Sequence, residues 1–198
     1  MTETFEFLVQ TYETERLKVL SVWSEFDDAD LAFRPHPEDS RGRSVHEQMV
    51  HQCVSENLWF LNMLDIDVGA PPLPKEETRQ AFIERYAEDS AARLKALRSQ
   101  DDAWWQETTQ FFGEDRSRAW VMVRRIAHTA HHRGQQTAML RKLDRSLHST
   151  YGPTADTGGL MQNKAPTIYA FESEEALRKG SEPNPLPGPG EQPATERP

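Results

Sequence analysis

The stretch HTAHHRGQ, residues 128–135, carries three of the seven histidines of a 198-residue chain. A neutral imidazole nitrogen binds divalent transition metals and, near neutral pH, can take up a proton. On a helix, side chains four apart share a face, with Cβ atoms about 5–6 Å apart. His128 and His132 therefore point the same way and can share one ion through bonds of about 2.0–2.1 Å. His131 is turned about 100° from His132. It falls in line with Trp120, Ala127, Gly134 and Ala138, a small-residue stripe that reads as a packing face, with Gly134 as the spacer that admits a neighbouring helix. A pair of this spacing also arises on solvated helix faces, and the pair alone leaves that reading open.

A third donor has to come from another element. His51 lies within HEQMVHQCVSEN, between Val50 and Val54, at the edge of an apolar stripe that continues to Leu58 and Leu61. Facing helices of a bundle build metal sites from inward side chains. With His51 the donors are three neutral nitrogens, a number that leaves room for water or substrate, as at catalytic zinc. His46 sits near a helix start and reads as exposed, while His36 and His148 lie in loops and receive no role. Cys53, two positions beyond His51, projects to the other side and reads as a small buried hydrophobe. Glu47 is explained as a capping partner of Ser44 rather than as a general base. Gln135, close below His132, either orients a ligand or is an exposed amide. Arg133 reads as outward-facing or paired with an acid. Trp59, Trp104 and Trp105 are candidates for a pocket mouth.

The elements that would position these residues follow from the 3.6-residue period and from caps. Helices are predicted over about 4–26, 44–65, 76–99 and 117–143. Residues 101–117 are ambiguous: Asp101 or Asp102 can cap a short turn carrying Trp104 and Trp105, and Gly113 interrupts any long helix. No alternating strand pattern stands out. The predicted fold class is all-α, a four-helix bundle with an irregular C-terminal extension. The bundle is assigned to residues 1–148. The extension, 149–180, holds one short helix capped by Ser173 and stopped at Gly180, and 181–198 reads as a disordered tail in which six of 18 residues are proline.

A formal net charge of −9 opposes nucleic acid as a partner, because duplex binding relies on Lys and Arg neutralising phosphates. One cysteine forms no internal disulfide, the N-terminus lacks a signal-peptide pattern, and no run of 18 apolar residues exists to span a membrane. The expectation is a cytoplasmic protein with no membrane partner.

Two pieces of the sequence resemble the DinB/YfiT-like family of metal-dependent enzymes. One is Met49-Val50-His51, followed by Glu56 and Trp59; the other is H-x-x-x-H-R-G-Q from His128 to Gln135, followed by Leu140 and Arg141. The likeness covers about residues 1–145. It implies a four-helix bundle in which His51, His128 and His132 bind a divalent metal ion, Zn2+ or Ni2+. It also implies a homodimer, a small-molecule substrate, and activities of the thiol S-transferase or metal-dependent hydrolase type, with a low-molecular-weight thiol as a co-substrate of the former. The tail beyond 148 lies outside that pattern. Three readings follow: a metal-dependent enzyme activating a bound thiol or water, a non-catalytic metal-binding or interaction bundle, and a structural bundle pairing through its Ala/Gly face.

Overall fold

Four long helices carry the chain: α1 (Glu6–Ser24), α2 (Val45–Met63), α3 (Arg79–Leu97) and α5 (Arg118–Lys142). The coordinates are a computed structural model that describes residues 4–39 and 41–189. Helix α1 packs on α3 and α5, and α2 packs on α5. The helix starts are chemically marked. Ser44 Oγ accepts from the Glu47 amide while the Glu47 carboxylate accepts from the Ser44 amide, a reciprocal cap that satisfies two free donors. Thr78 caps α3 and Ser117 caps α5 in the same one-sided way.

Between α3 and α5 lie a short helix, α4 (Asp102–Gln106), capped by Asp101, and an antiparallel hairpin of β1 (Thr108–Phe111) and β2 (Glu114–Ser117). The hairpin was not foreseen. Its two turn residues both take positive φ, Phe112 at 51° and Gly113 at 88°. That turn normally announces itself as Asn-Gly or Asp-Gly, and here only the glycine is visible. The strands TTQF and EDRS also lack an apolar alternation.

The core is layered along the bundle axis. One apolar cluster gathers Val19, Trp23, Phe26, Met49, Phe82, Ile83, Tyr86 and Leu140; a second gathers Leu8, Tyr12, Phe60, Leu64, Leu97, Trp105, Val121 and Met122. Midway along each helix, between the positions that supply these clusters, the buried residues are polar: Glu15 and Arg16 on α1, Gln52, Ser55 and Glu56 on α2, Asp89, Ser90 and Arg93 on α3, and Arg125, Thr129, His132, Arg133 and Gln136 on α5. Glu56, fully buried, accepts from Tyr12 Oη at 2.7 Å and Tyr86 Oη at 3.1 Å and pairs with Arg93 at 3.4 Å and Arg125 at 3.6 Å. Arg133 pairs with Glu15 at 2.5 Å and also reaches Tyr151 Oη. Burying such charges is tolerable only when each finds partners.

This layer overturns two expectations about direction. The stripe Trp120, Val123, Ala127, His131, Gly134 and Ala138 faces outward, and a Cβ built on Gly134 would meet no atom within 4 Å; within one chain, Gly134 is not a spacer. On α2 the stripe ending in Leu58 and Leu61 is likewise outer, these two being 47% and 40% exposed. Over the middle of both helices the inward face is the polar one, with apolar core residues such as Met49 and Phe60 on α2 and Met122 and Leu140 on α5 towards the ends, so there the apolar stripe pointed away from the core.

The segment after α5 folds back over the end of α1. Leu147, Phe171 and Leu177 join the first apolar cluster, and Glu174, in the short helix α6 (Glu174–Arg178), pairs with Arg16 at 2.7 Å. Ser173 caps α6, and Gly180 follows it at positive φ. The loop histidine His148 is buried, its Nε2 lying 2.7 Å from the Asn184 carbonyl and its Nδ1 3.7 Å from Glu25. Residues 181–189 form neither helix nor strand, but Asn184 and Gly188 donate backbone hydrogen bonds to Ala170 and Asp156. The disorder expected for residues 190–198 falls outside the described residues.

Candidate metal centre

His51 on α2 and His128 and His132 on α5 converge where the two helices face each other. His128 Nε2 lies 3.1 Å from His132 Nε2 and 3.4 Å from His51 Nε2. Among the described residues these three form the one group of histidine, cysteine or carboxylate side chains placed to hold an ion, with one donor atom from each lying within 4.8 Å of the others. Four tetrahedral bonds of about 2.0–2.1 Å would set donors about 3.3 Å apart, so the spacing fits a single ion.

The proton positions fit as well. His132 Nδ1 lies 2.8 Å from Gln48 Oε1 and 3.0 Å from Gln135 Oε1, and Gln48 donates its amide to Gln135 at 2.9 Å. Two oxygen acceptors place the His132 proton on Nδ1, so Nε2 turns a bare lone pair toward the other two imidazoles. Burial, followed by the charge of Arg125 and the neighbouring imidazoles, pushes His128 down to about 3. Burial and His51 push His132 down to about 4. His51 is lowered too, by burial and by the charges of Arg43 and Arg125. All three imidazoles are therefore neutral, and their donor atoms are free at neutral pH.

The surroundings divide into a polar floor and an aromatic side. Arg125, beneath, donates to Ser55 and Thr129 and pairs with Glu56, and its guanidinium lies 5.5 Å from the Trp59 ring. Trp59 stacks on His128, with centroids 5.5 Å apart and an interplanar angle of 21°. Phe111 and Phe112 of the hairpin approach the other parts of Trp59 at 5.2 and 6.1 Å.

The other candidates go elsewhere. Trp105 is in the second core cluster, and Trp104 packs under Arg118. Cys53 is buried, and burial pushes its thiol up, away from thiolate formation. Glu47 is held by Ser44 and by Arg34 at 2.6 Å. His46 meets Glu77 at 2.5 Å, and His131 is exposed and bonded to Gln135. The cavity of about 420 Å³ between α1 and the extension, lined by Leu17, Leu20, Phe171 and Leu177, is touched by none of the three histidines. Gln48 was missed. It precedes His51 by three positions on the same side of α2, a helical spacing visible in the sequence.

Fold and cluster together define a four-helix bundle with a three-histidine group compatible with metal binding. The chain belongs to the DinB family, whose sequence profile matches residues 1–163. It is 28% identical over 106 residues to the uncharacterized protein YrdA of Bacillus subtilis; the match spans 53% of this chain and 64% of YrdA, less than two thirds of that relative's length. Among solved structures, a DinB-like protein from Bacillus cereus superposes with a TM-score of 0.66 at 19% identity, covering 76% of this chain and all of the other. The DinB-like protein YjoA of Bacillus subtilis gives a TM-score of 0.57 at 11% identity over 71% of this chain and 94% of its own. At these identities the structural likeness speaks for the fold alone. No helix among the described residues is long and apolar enough to cross a membrane.

Proposed function

We propose that the chain is a metal-dependent enzyme in which His51, His128 and His132 hold one divalent ion, Zn2+ or Ni2+, and leave coordination positions open toward a small-molecule substrate. The observation that carries this reading is the convergence of three neutral Nε2 atoms with the His132 proton fixed on the far side by Gln48. When bound, the ion would lower the pKa of a coordinated water or low-molecular-weight thiol, the chemistry of a hydrolase or a thiol S-transferase. The chain's own part is to hold three donors from two helices in register. Gln48 and Gln135 fix one tautomer, and burial keeps protons off the ring nitrogens. The test is metal analysis of untagged protein, followed by esterase and thiol-transfer assays with and without chelator. One ion per chain and a chelator-sensitive rate are expected; an equal metal content after His128→Ala would contradict the assignment.

One observation favours a non-catalytic metal-binding bundle instead. Among the described residues the carboxylates nearest to His51 in sequence are occupied, Glu56 in the core and Glu47 in its cap, so neither stands ready as a general base. Metal bound with no turnover across both assays would favour that second reading. We place the protein in the cytoplasm as a homodimer, joined through the outward apolar stripes of α2 and α5. Light scattering checks the pairing, and a monomer at micromolar concentration counts against it.

A further inference from the structure

The hairpin turn holds a residue that is unfavourable twice over. Phe112 is 74% exposed and sits at φ 51°, the left-handed region that bulky side chains avoid. Asparagine would suit this position ahead of Gly113 far better. Strained backbone persists where surrounding structure holds it, and it gathers at ligand clamps. The Phe112 ring lies 6.1 Å from Trp59, and Trp59 in turn stacks on the His128 ring. A chain of aromatic contacts, edge-on at Phe112 and stacked at His128, thus runs from the exposed hairpin tip to the histidine cluster. Within the hairpin the ring meets Phe111 edge-on at 4.8 Å, yet it stays outside the second apolar cluster, which counts Phe111 and Trp59.

We infer that Trp59 and Phe112 wall a substrate subsite beside the three histidines, and that the substrate carries a planar apolar group, an aromatic or conjugated ring, next to the atom that reaches the Nε2 donors. This rests on the metal reading above. A flat ring lying along Trp59 meets an aromatic face in the offset or edge-on arrangement such faces prefer, and it covers the exposed Phe112. An aliphatic substrate of the same reactive group would leave both rings in water.

The probes are benzohydroxamate and acetohydroxamate, two chelators with one metal-binding group and differing in the phenyl ring. Calorimetry on the zinc-loaded, untagged full chain is expected to give about tenfold tighter binding of the phenyl compound, the scale of one well-made aromatic contact. In Phe112→Asn the ratio of the two dissociation constants falls toward one, and the thermal midpoint holds or rises because Asn-Gly suits the turn. Equal binding of the two probes by the wild-type chain overturns the subsite and leaves the metal site standing. So does an undiminished ratio in Phe112→Asn, or a fall in its thermal midpoint, which would make the ring a packing residue. A shift from dimer to monomer in Phe112→Asn at constant ratio would give the wall to a second copy and also overturn it. A chain that takes up no zinc, or binds neither hydroxamate, overturns the metal reading and the subsite together.

Discussion

Glu56 and His51 are five positions apart on α2, and Arg125 and His128 three apart on α5, yet the two groups they belong to are built on opposite plans. Around Glu56 the polar atoms close on one another: two tyrosine hydroxyls donate to the carboxylate, and two guanidiniums neutralise it, all of it out of water. Around His128 the imidazoles converge: three Nε2 atoms lie within 3.1–3.4 Å steps, and His128 Nδ1 is buried with no partner. The first group is neutralised within itself, with Arg93 Nε its one nitrogen left unpartnered. The second places like beside like, an arrangement compatible with a bound cation. Buried polarity of the first kind specifies a core; the second kind waits for a ligand.

The comparison can be broken at four points. The largest effect belongs to Glu56. Glu56→Leu leaves Arg93 and Arg125 buried without their common counter-ion, and urea denaturation should show a loss of about 3–5 kcal/mol. Next comes His128→Ala. In metal-free protein it should move stability by less than about 1 kcal/mol, as for a half-buried residue outside the packed core. Titration with zinc should nevertheless show the high-affinity site gone, together with the rise in melting temperature that ligand binding confers. If the two variants changed places, one unfolding the chain and the other losing metal in the reverse sense, the division into neutralised and waiting groups would fail. Third, Gln48→Leu leaves Gln135 alone to hold the His132 tautomer, and metal affinity should drop about 10–100-fold while the three donors stay in place; a competition titration with a fluorescent chelator reads it.

The smallest effect separates histidines by the sign of their shift. His128 and His132 are lowered, so the metal-free bundle loses stability from them only as pH falls below the unfolded value toward about 3 for His128 and about 4 for His132. His148 goes the other way. Burial alone would lower it, but the facing Glu25 carboxylate and the hydrogen bond to the Asn184 carbonyl, with the charge of Asp156, outweigh burial and raise it. Its contribution is fully present below the unfolded histidine value and is lost as pH rises through the raised one. Loss of that proton also leaves Glu25, whose carboxyl burial pushes up, as a buried anion with a weaker partner. Amide exchange or limited proteolysis should therefore find the extension opening more readily at pH 8.5 than at pH 6, with α2 and the histidine-bearing part of α5 equally protected at both. An extension equally protected at both values would remove His148 as its clasp.

Much of the fold was legible because helices announce themselves locally. Ser44 with Glu47, Ser117 before Trp120 and Ser173 before α6 mark starts that the structure reproduces. The histidine trio was legible because a four-residue spacing fixes two donors and a bundle brings a third helix face opposite them. The facing directions were not. Arg125, Thr129, Arg133 and Gln136 make the inner face of α5 look like a solvent face, and only their partners on α1 and α2, distant in sequence, reveal that it is buried. The hairpin escaped for a different reason: its turn carries Phe where the local code calls for Asn, so the residue that hid the turn is also the one that stands beside Trp59.

The central claim is that the three Nε2 atoms are ligands rather than a chance cluster. Anomalous diffraction at the zinc and nickel absorption edges, from crystals of untagged protein, tests it most directly. The account predicts one peak per chain, within bonding distance of Nε2 of His51, His128 and His132. No peak, or a peak held by other residues, would contradict it.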